Sequence, residues 1–225
     1  PGDPKAVACI EDTCVTTDDL PDFIKEFDEI MADYGKESIY YAHAGDGTIH
    51  LRPILDLKKG EDRELFFNIT NDVASLTKKY GGSMSSEHGD GRVRGPFVEK
   101  MIGTQNYQLI KEVKSTWDPY TIFNPGKIVD TAPMNEFLRY EKDSVTPEIE
   151  THLDFSEVGG ILRMAEKCNG TGLCRKTHHS GGTMCPSYMA TKEEKHTTRG
   201  RANILRDVLT NNTKPNKFDS EELKN

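Results

Sequence analysis

Four side chains in two short stretches have the chemistry of a reactive site. His43 and His50 lie in Tyr40-Tyr41-Ala42-His43-Ala44-Gly45-Asp46-Gly47-Thr48-Ile49-His50-Leu51. Glu87 and His88 lie in Ser85-Ser86-Glu87-His88-Gly89-Asp90-Gly91-Arg92. The first stretch reads as a β-hairpin, because β-forming residues flank Asp46-Gly47, a strong two-residue type I′ turn signal. With that turn, Gly45 pairs with Thr48, Ala44 with Ile49 and His43 with His50. Directly opposed residues share a face, with Cβ atoms about 4.5–5.5 Å apart. Two neutral imidazoles that close suit one ion of the Zn, Fe, Ni or Cu kind. Two ordinary strand histidines would give the same pattern, so a third ligand decides between these readings. Glu87 is the candidate, since carboxylates bind Zn or Mn and three protein ligands leave a position open for substrate. His88 follows it in extended backbone and so points to the opposite side, which suits a general base beside the metal. Arg92 and Arg94 carry guanidinium forks that match a substrate carboxylate; solvated arginines on a polar loop are the plainer alternative.

The elements that position these residues follow from hydrophobic periodicity. Ala6-Val7-Ala8-Cys9-Ile10 predicts a short strand with Glu11-Asp12-Thr13 as its polar exit, and Cys9 and Cys14 read as small buried hydrophobes. Phe23, Phe27, Ile30 and Met31 recur at helical spacing over Leu20 to Tyr34, capped by Asp18 or Asp19 and closed by Gly35. The hairpin arms run from Ser38 to Ala44 and from Thr48 to Ile54, with Pro53 marking an edge or a bulge. Leu65, Phe66, Ile69, Val73 and Leu76 share one face of a second helix from Gly60 to Tyr80, which Gly81-Gly82 ends. Ser83 to Glu87 is a further short strand. The order β-α-β-β-α-β is the split βαβ arrangement, an α+β fold with a ferredoxin-like antiparallel sheet and helices on one face.

Composition narrows the partners. The 225 residues carry a net charge of −8, which disfavours nucleic acid, whose phosphates need a basic surface. No run of about 18 apolar residues exists, so no transmembrane segment is expected. No secretory signal is visible, and the start, Pro1-Gly2-Asp3-Pro4, reads as a cut inside a longer chain. Five cysteines, an odd number, lack the pattern of a disulfide framework and point to a cytoplasmic setting, at most peripheral at a membrane face.

His43-Ala-Gly-Asp-Gly-Thr-Ile-His50, Ser86-Glu87-His88-Gly89-Asp90-Gly91 and Phe123-Asn124-Pro125-Gly126-Lys127-Ile128, the last preceded by Trp117-Asp118-Pro119, resemble the motifs of the FAD-linked oxidase C-terminal domain. That domain is the substrate half of vanillyl-alcohol-oxidase-type flavoproteins that oxidise D-2-hydroxy acids, among them D-lactate and D-2-hydroxyglutarate dehydrogenases and the glycolate oxidase flavoprotein subunit. The resemblance covers residues 6–130. It implies that His43, His50 and Glu87 hold a divalent metal, Zn or Mn, which grips the substrate's carboxylate and 2-hydroxyl. It further implies that His88 takes the hydroxyl proton and that Asn124 and Lys127 come back near the flavin; of the two arginines, Arg92 is the one expected at the substrate. A Pro-Gly turn explains Asn124 and Lys127 equally well. The family's FAD-binding domain precedes this region, and no G-x-G-x-x-G fingerprint is present here, so most of the FAD contacts are expected from a missing N-terminal domain of the same protein.

Residues 1–133 thus form the expected substrate and metal domain, 134–157 a polar linker, 158–210 a small, mostly α-helical ferredoxin-type domain, and 211–225 a loose tail. Helices are predicted over Phe155 to Lys167 and Arg199 to Leu209. Cys168, Cys174 and Cys185-Pro186 align with a bacterial iron–sulfur run, but Thr171 stands where the second cysteine belongs and the last gap is too long. The stretch nevertheless resembles the domain fused to some of these dehydrogenases, which implies a 4Fe-4S cluster with an incomplete ligand set. A zinc site with His178 or His179, or free thiols, are the alternatives. The function this supports is FAD-dependent oxidation of a D-2-hydroxy acid, 2-hydroxyglutarate or lactate, with electrons leaving through iron–sulfur clusters to an acceptor the sequence does not name. A metal-dependent hydrolase or a non-catalytic metal or electron-transfer module is the other reading.

Overall fold

The computed structural model describes residues 3–182, 184–211 and 213–224. The chain divides into two compact units, Asp3–Ser144 and the stretch from Val145 onward, so the division falls inside the 134–157 stretch.

The first unit is built on a central strand. Strands β1 (Lys5–Ala6) and β2 (Ile10–Cys14) pair antiparallel with one flank of β4 (Thr48–Leu55), and β3 (Ser38–His43) pairs antiparallel with the other. The expected first strand is therefore broken. It also runs further than expected, because Glu11-Asp12-Thr13 lies inside β2, with a register shift between Ile10 and Thr13. Pro53 sits in the central strand. Its carbonyl accepts from the Val7 N–H at 2.8 Å, so the ring nitrogen, which has no proton to donate, faces the interruption between β1 and β2. Ser83 to Glu87 is not a regular strand: its backbone pairs with that of β2 through the Cys14–Ser83 bridge and the Ser86 N–H to Asp12 C=O bond (2.8 Å).

Helices α1 (Leu20–Asp33) and α2 (Gly60–Lys79) cover one face of the sheet. Phe23, Phe27 and Met31 from α1, Phe66, Ile69 and Val73 from α2, and Ile10, Ile49, Leu51 and Leu55 from the strands make the core. Burial of each contributes about 1.5–3 kcal/mol. Residues alternate across a strand, so the odd-numbered positions of β4 enter this core and Thr48, His50 and Arg52 take the opposite face. Short α3 (Val98–Ile102) and longer α4 (Thr104–Trp117) follow, separated by Gly103; neither was among the expected elements, and α4 buries no residue.

In the second unit a 3-10 turn (Ser156–Val158) precedes α5 (Ile161–Glu166), where one continuous helix was expected. Gly159 and Gly160, at φ 77° and 105°, break it. Helices α6 (Pro186–Thr191) and α7 (Thr198–Asn211) follow, and α7 packs on α5. The end of the chain is not simply loose: α8 (Glu221–Lys224) forms, Ser220 is buried, and the Lys217 ammonium donates to the Leu209 carbonyl at 2.7 Å.

Candidate metal and acid–base centre

The hairpin forms, but with a different turn. Tyr41, not His43, pairs with His50, and His43 pairs with Thr48. The connection is a four-residue one, with Ala44–Asp46 in a 3-10 turn and Gly47 at φ 70°. Loops built on a type I turn closed by a left-handed residue are the next commonest hairpin solution. Gly47 is fixed here by more than its dihedral, because a Cβ on it would lie 2.0 Å from the Val15 carbonyl oxygen. The shift moves the pairing by two residues, an even number, so His43 and His50 stay on one face as diagonal neighbours. Their rings meet edge to face with centroids 5.1 Å apart.

Glu87 reaches them from the 83–88 segment. Its Oε1 lies 3.4 Å from His43 Nε2 and 3.7 Å from His50 Nε2, and the candidate ligand atoms of the three residues all lie within 4.8 Å of one another. His88 departs from the alternation argument. Because the 83–88 segment is not a regular strand, His88 turns toward the same cluster. Its ring stacks on His50 at 5.5 Å and 6°, and its Nε2 is 3.5 Å from the same Glu87 Oε1. Three imidazole nitrogens thus converge on one carboxylate oxygen. His50 is buried, whereas His43, Glu87 and His88 are open to solvent. The set suits a divalent ion: two imidazoles and a carboxylate, one side accessible. His50 is also set in the right tautomer. Its Nδ1 hydrogen-bonds the Glu11 carbonyl, an acceptor only, so Nδ1 carries the proton and Nε2 keeps its lone pair.

The two residues at the irregularity of β2, Glu11 and Asp12, were read only as a polar strand exit, and they prove to be neighbours of His50, Glu87 and His88. Glu11 takes the Arg52 Nε–H at 2.7 Å, and its Oε1 lies 3.9 Å from His88 Nδ1. Asp12 is fully buried and accepts from the Ser85 hydroxyl (2.6 Å) and from the N–H groups of Glu87 (3.0 Å) and His88 (2.8 Å). Burial pushes the Asp12 carboxyl up, but the Ser85 hydroxyl and those two N–H groups outweigh it and hold its pKa below the ordinary value. Asp90 shows the reverse: burial raises it, with Arg94 opposing and the Asp12 charge adding. A pair of charged residues in the middle of an otherwise apolar strand was the available signal for these positions.

The remaining expected residues are placed as follows. Arg92 hydrogen-bonds the carbonyls of Glu136 and Phe137 instead of joining the histidines. Arg94 is buried, donates to the Gly89 carbonyl at 2.6 Å and lies 3.8 Å from Asp12. Asn124, exposed at φ 48°, and Lys127 sit on a loop that Asp118 organises by accepting from the Lys114 ammonium (2.6 Å) and the Ile122 and Phe123 N–H groups. The Ile128 N–H donates to the Gly91 carbonyl at 2.8 Å and ties this loop to the glycine-rich one.

In the second unit Cys174 and Cys185 are buried beside Tyr188, while Cys168 is partly exposed. Cys185 meets Thr198 and the charge of Arg201, and Arg199 lies within electrostatic reach of Cys174 and Cys168. The Tyr188 N–H pulls the Cys185 thiol below its ordinary pKa, against burial. These sulfurs do not converge to within 4.8 Å as the histidine site's atoms do.

Comparison with known proteins gives the family. The model of the FAD linked oxidases C-terminal domain matches residues 1–128. D-2-hydroxyglutarate dehydrogenase of Pseudomonas putida is 35% identical over 202 residues, 89% of this chain and 20% of that protein. The protein of the same name from Haemophilus influenzae is 34% identical over 230 aligned positions, 97% of this chain and 21% of that protein. D-lactate dehydrogenase of Archaeoglobus fulgidus is 34% identical over 125 residues, 56% of this chain and 27% of that protein. The chain spans about a fifth of the length of the first two. With more than half of its length matched and the paired histidines, the glutamate and its neighbouring histidine brought together in space, the chain belongs to the FAD-linked oxidase C-terminal domain family.

Proposed function

We propose that this chain is the metal-holding, substrate-facing part of a longer FAD-dependent enzyme that oxidises a D-2-hydroxy acid to the 2-oxo acid. The observation that carries this reading is the convergence of His43, His50 and His88 on Glu87 Oε1 in a chain of this family. His43, His50 and Glu87 would hold a divalent ion, Zn or Mn, and it would supply Lewis acidity to the substrate's carboxylate and 2-hydroxyl. FAD, held mainly by another part of the polypeptide, would supply the oxidant. His88 takes the 2-hydroxyl proton at Nε2, beside the ligand carboxylate. Its Nδ1 faces Glu11 and Asp12 oxygens at 3.9 and 4.0 Å. Arg92 on the substrate side and Asn124 and Lys127 on the flavin side complete the reading; their two loops are tied together by the Ile128 N–H to the Gly91 carbonyl.

Substrates of the 2-hydroxyglutarate type are favoured over lactate, because the relatives aligned over most of the chain, second unit included, bear that name. The second unit is read as the start of a ferredoxin-type module in which Cys168, Cys174 and Cys185 contribute to a 4Fe-4S cluster that carries electrons away. The three unbridged cysteines, each within reach of Thr198 or Arg199, support this, as they support a reducing, cytoplasmic setting. No helix among the described residues is long and apolar enough to cross a membrane. The succession of strands and helices in the first unit, with Ser83–Ser86 running beside β2, supports a ferredoxin-like arrangement.

The test is elemental analysis of the purified chain together with dye reduction by the longer protein on D-2-hydroxyglutarate and D-lactate. Near-stoichiometric Zn or Mn, with turnover on either acid, is expected. A metal-free longer protein without hydroxyacid oxidation would sink the reading.

A further inference from the structure

The buried carboxylate of Asp12 stands out among the groups that the reaction itself does not use. Its side chain is 0% exposed, and it has no ion-pair partner closer than Arg94 at 3.8 Å. Among the described residues its side-chain hydrogen bonds go to one segment: Oδ2 accepts from Ser85 Oγ at 2.6 Å and the His88 N–H at 2.8 Å, and Oδ1 accepts from the Glu87 N–H at 3.0 Å. That segment is no regular strand: its backbone is tied to β2 by the Cys14–Ser83 bridge and by the Ser86 N–H to the Asp12 carbonyl. Backbone N–H groups in a buried place need partners, and here a side chain 75 residues away supplies the one for Glu87. Arg94 closes the far end by donating to the Gly89 carbonyl. On the other flank, the residue before Asp12 fixes His50 through its own carbonyl. Irregularities of this kind in a strand re-aim side chains next to active sites.

We infer that Asp12 is the positioning residue of the centre: it clamps the backbone of Glu87 and His88, so that one carboxylate oxygen meets the hairpin histidines and the adjacent imidazole turns to the same side. The inference rests on the metal reading given above. Asp12, Glu87 and His88 also bring ligand atoms within 4.8 Å of one another, but both Asp12 oxygens are already engaged by the Ser85 hydroxyl and the Glu87 and His88 N–H groups, so its role here is indirect. It acts through the segment it holds.

Its consequence is measurable without turnover. Asp12→Asn keeps shape and burial but places an amide N–H₂ against N–H and O–H donors, so at least one of the three loses its acceptor. Outer partners of metal ligands change affinity by about 10–100-fold when removed. Zn²⁺ and Mn²⁺ binding by the 225-residue chain would be measured calorimetrically for wild type, Asp12→Asn, Ser85→Ala and Asp62→Asn, beside amide exchange at Glu87 and His88. Asp62 is the control, a buried carboxylate engaged with Lys36 and the Asp56 N–H, with no bond to this segment. Expected are a loss of about 10–100-fold in metal affinity for Asp12→Asn and a smaller loss for Ser85→Ala. Faster exchange at the two amides should accompany them, and Asp62→Asn should leave affinity unchanged. Wild type that binds neither metal overturns the metal reading itself. Wild type that binds, with Asp12→Asn binding equally well, overturns the positioning role alone. Should Asp12→Asn fail to fold, unchanged affinity and unchanged Glu87 exchange in Ser85→Ala would count against the clamp.

Discussion

Replacing Gly47 by alanine tests the observed turn against the two-residue turn that the sequence suggested. Gly47 sits at φ 70°, and a Cβ there would fall 2.0 Å from the Val15 carbonyl oxygen, a backbone atom that cannot rotate away. A left-handed L-residue costs about 1–2 kcal/mol. Overpacking against fixed neighbours adds about 1–3 kcal/mol. The expected loss is about 2–5 kcal/mol, a large part of a small domain's stability. Gly81→Ala is the matched comparison: Gly81 has φ 63°, but nothing lies within 4 Å of its Cβ position, so only the backbone cost applies. Urea unfolding followed by circular dichroism should place the Gly47→Ala midpoint clearly below that of Gly81→Ala, with similar m-values. Equal midpoints would show that the Val15 contact does not constrain the hairpin, and the register argument for His43 and His50 would fall with it.

Alanine at His43 or His50 should each abolish stoichiometric metal, and His50→Ala should also destabilise the chain because His50 is buried at 5% exposure; metal retained in both variants would remove them as ligands. His88→Ala should keep the metal yet slow hydroxyacid oxidation by the longer protein about 10²–10⁴-fold, measured by dye reduction; an unchanged rate would exclude it as the base. Asp62 supplies a pH test. Burial raises its carboxyl, but the Lys36 ammonium at 2.7 Å and the Asp56 N–H outweigh this, leaving the folded pKa below the ordinary one. A depressed pKa contributes stability that is present above the unfolded value and lost as pH falls through the folded one. Asp62→Asn should therefore be less stable than wild type by about 1–3 kcal/mol near neutrality, the value of hydrogen bonds to a charged group. The gap between their melting temperatures should close below about pH 4. A constant gap down to pH 2.5 would contradict the pairing.

The sequence made legible whatever depends on local pattern. The apolar faces of α1 and α2 and the existence of the hairpin all follow from spacing within a single element. The shared face of His43 and His50 was legible even though the register was not, because a slip of two residues preserves the side on which each lies. What could not be read depends on chain segments meeting. Nothing in Glu11-Asp12-Thr13 says that a distant loop donates to it, and nothing in Ser83 to His88 says that its backbone bonds go to a side chain instead of a strand. The alternation rule therefore misplaced His88. Helix α4 is a different case: Leu109, Ile110, Val113 and Trp117 stand at helical spacing, a signal present in the sequence, yet they stay exposed and the stripe meets no core.

The separation between the site's halves has a kinetic side. The two histidines come together as soon as one hairpin closes, an event on the microsecond scale. The clamp spans 73 residues from Asp12 to Ser85 and 75 to Glu87, with α1, the hairpin and α2 in between. Contacts of that sequence separation bear the full loop-closure entropy and form late. A hairpin alone offers two nitrogens; the carboxylate arrives only once the sheet has closed around it. On the metal reading proposed above, high-affinity uptake would be a readout of completed folding, and a nascent chain would hold an ion loosely until the 83–88 segment is in place.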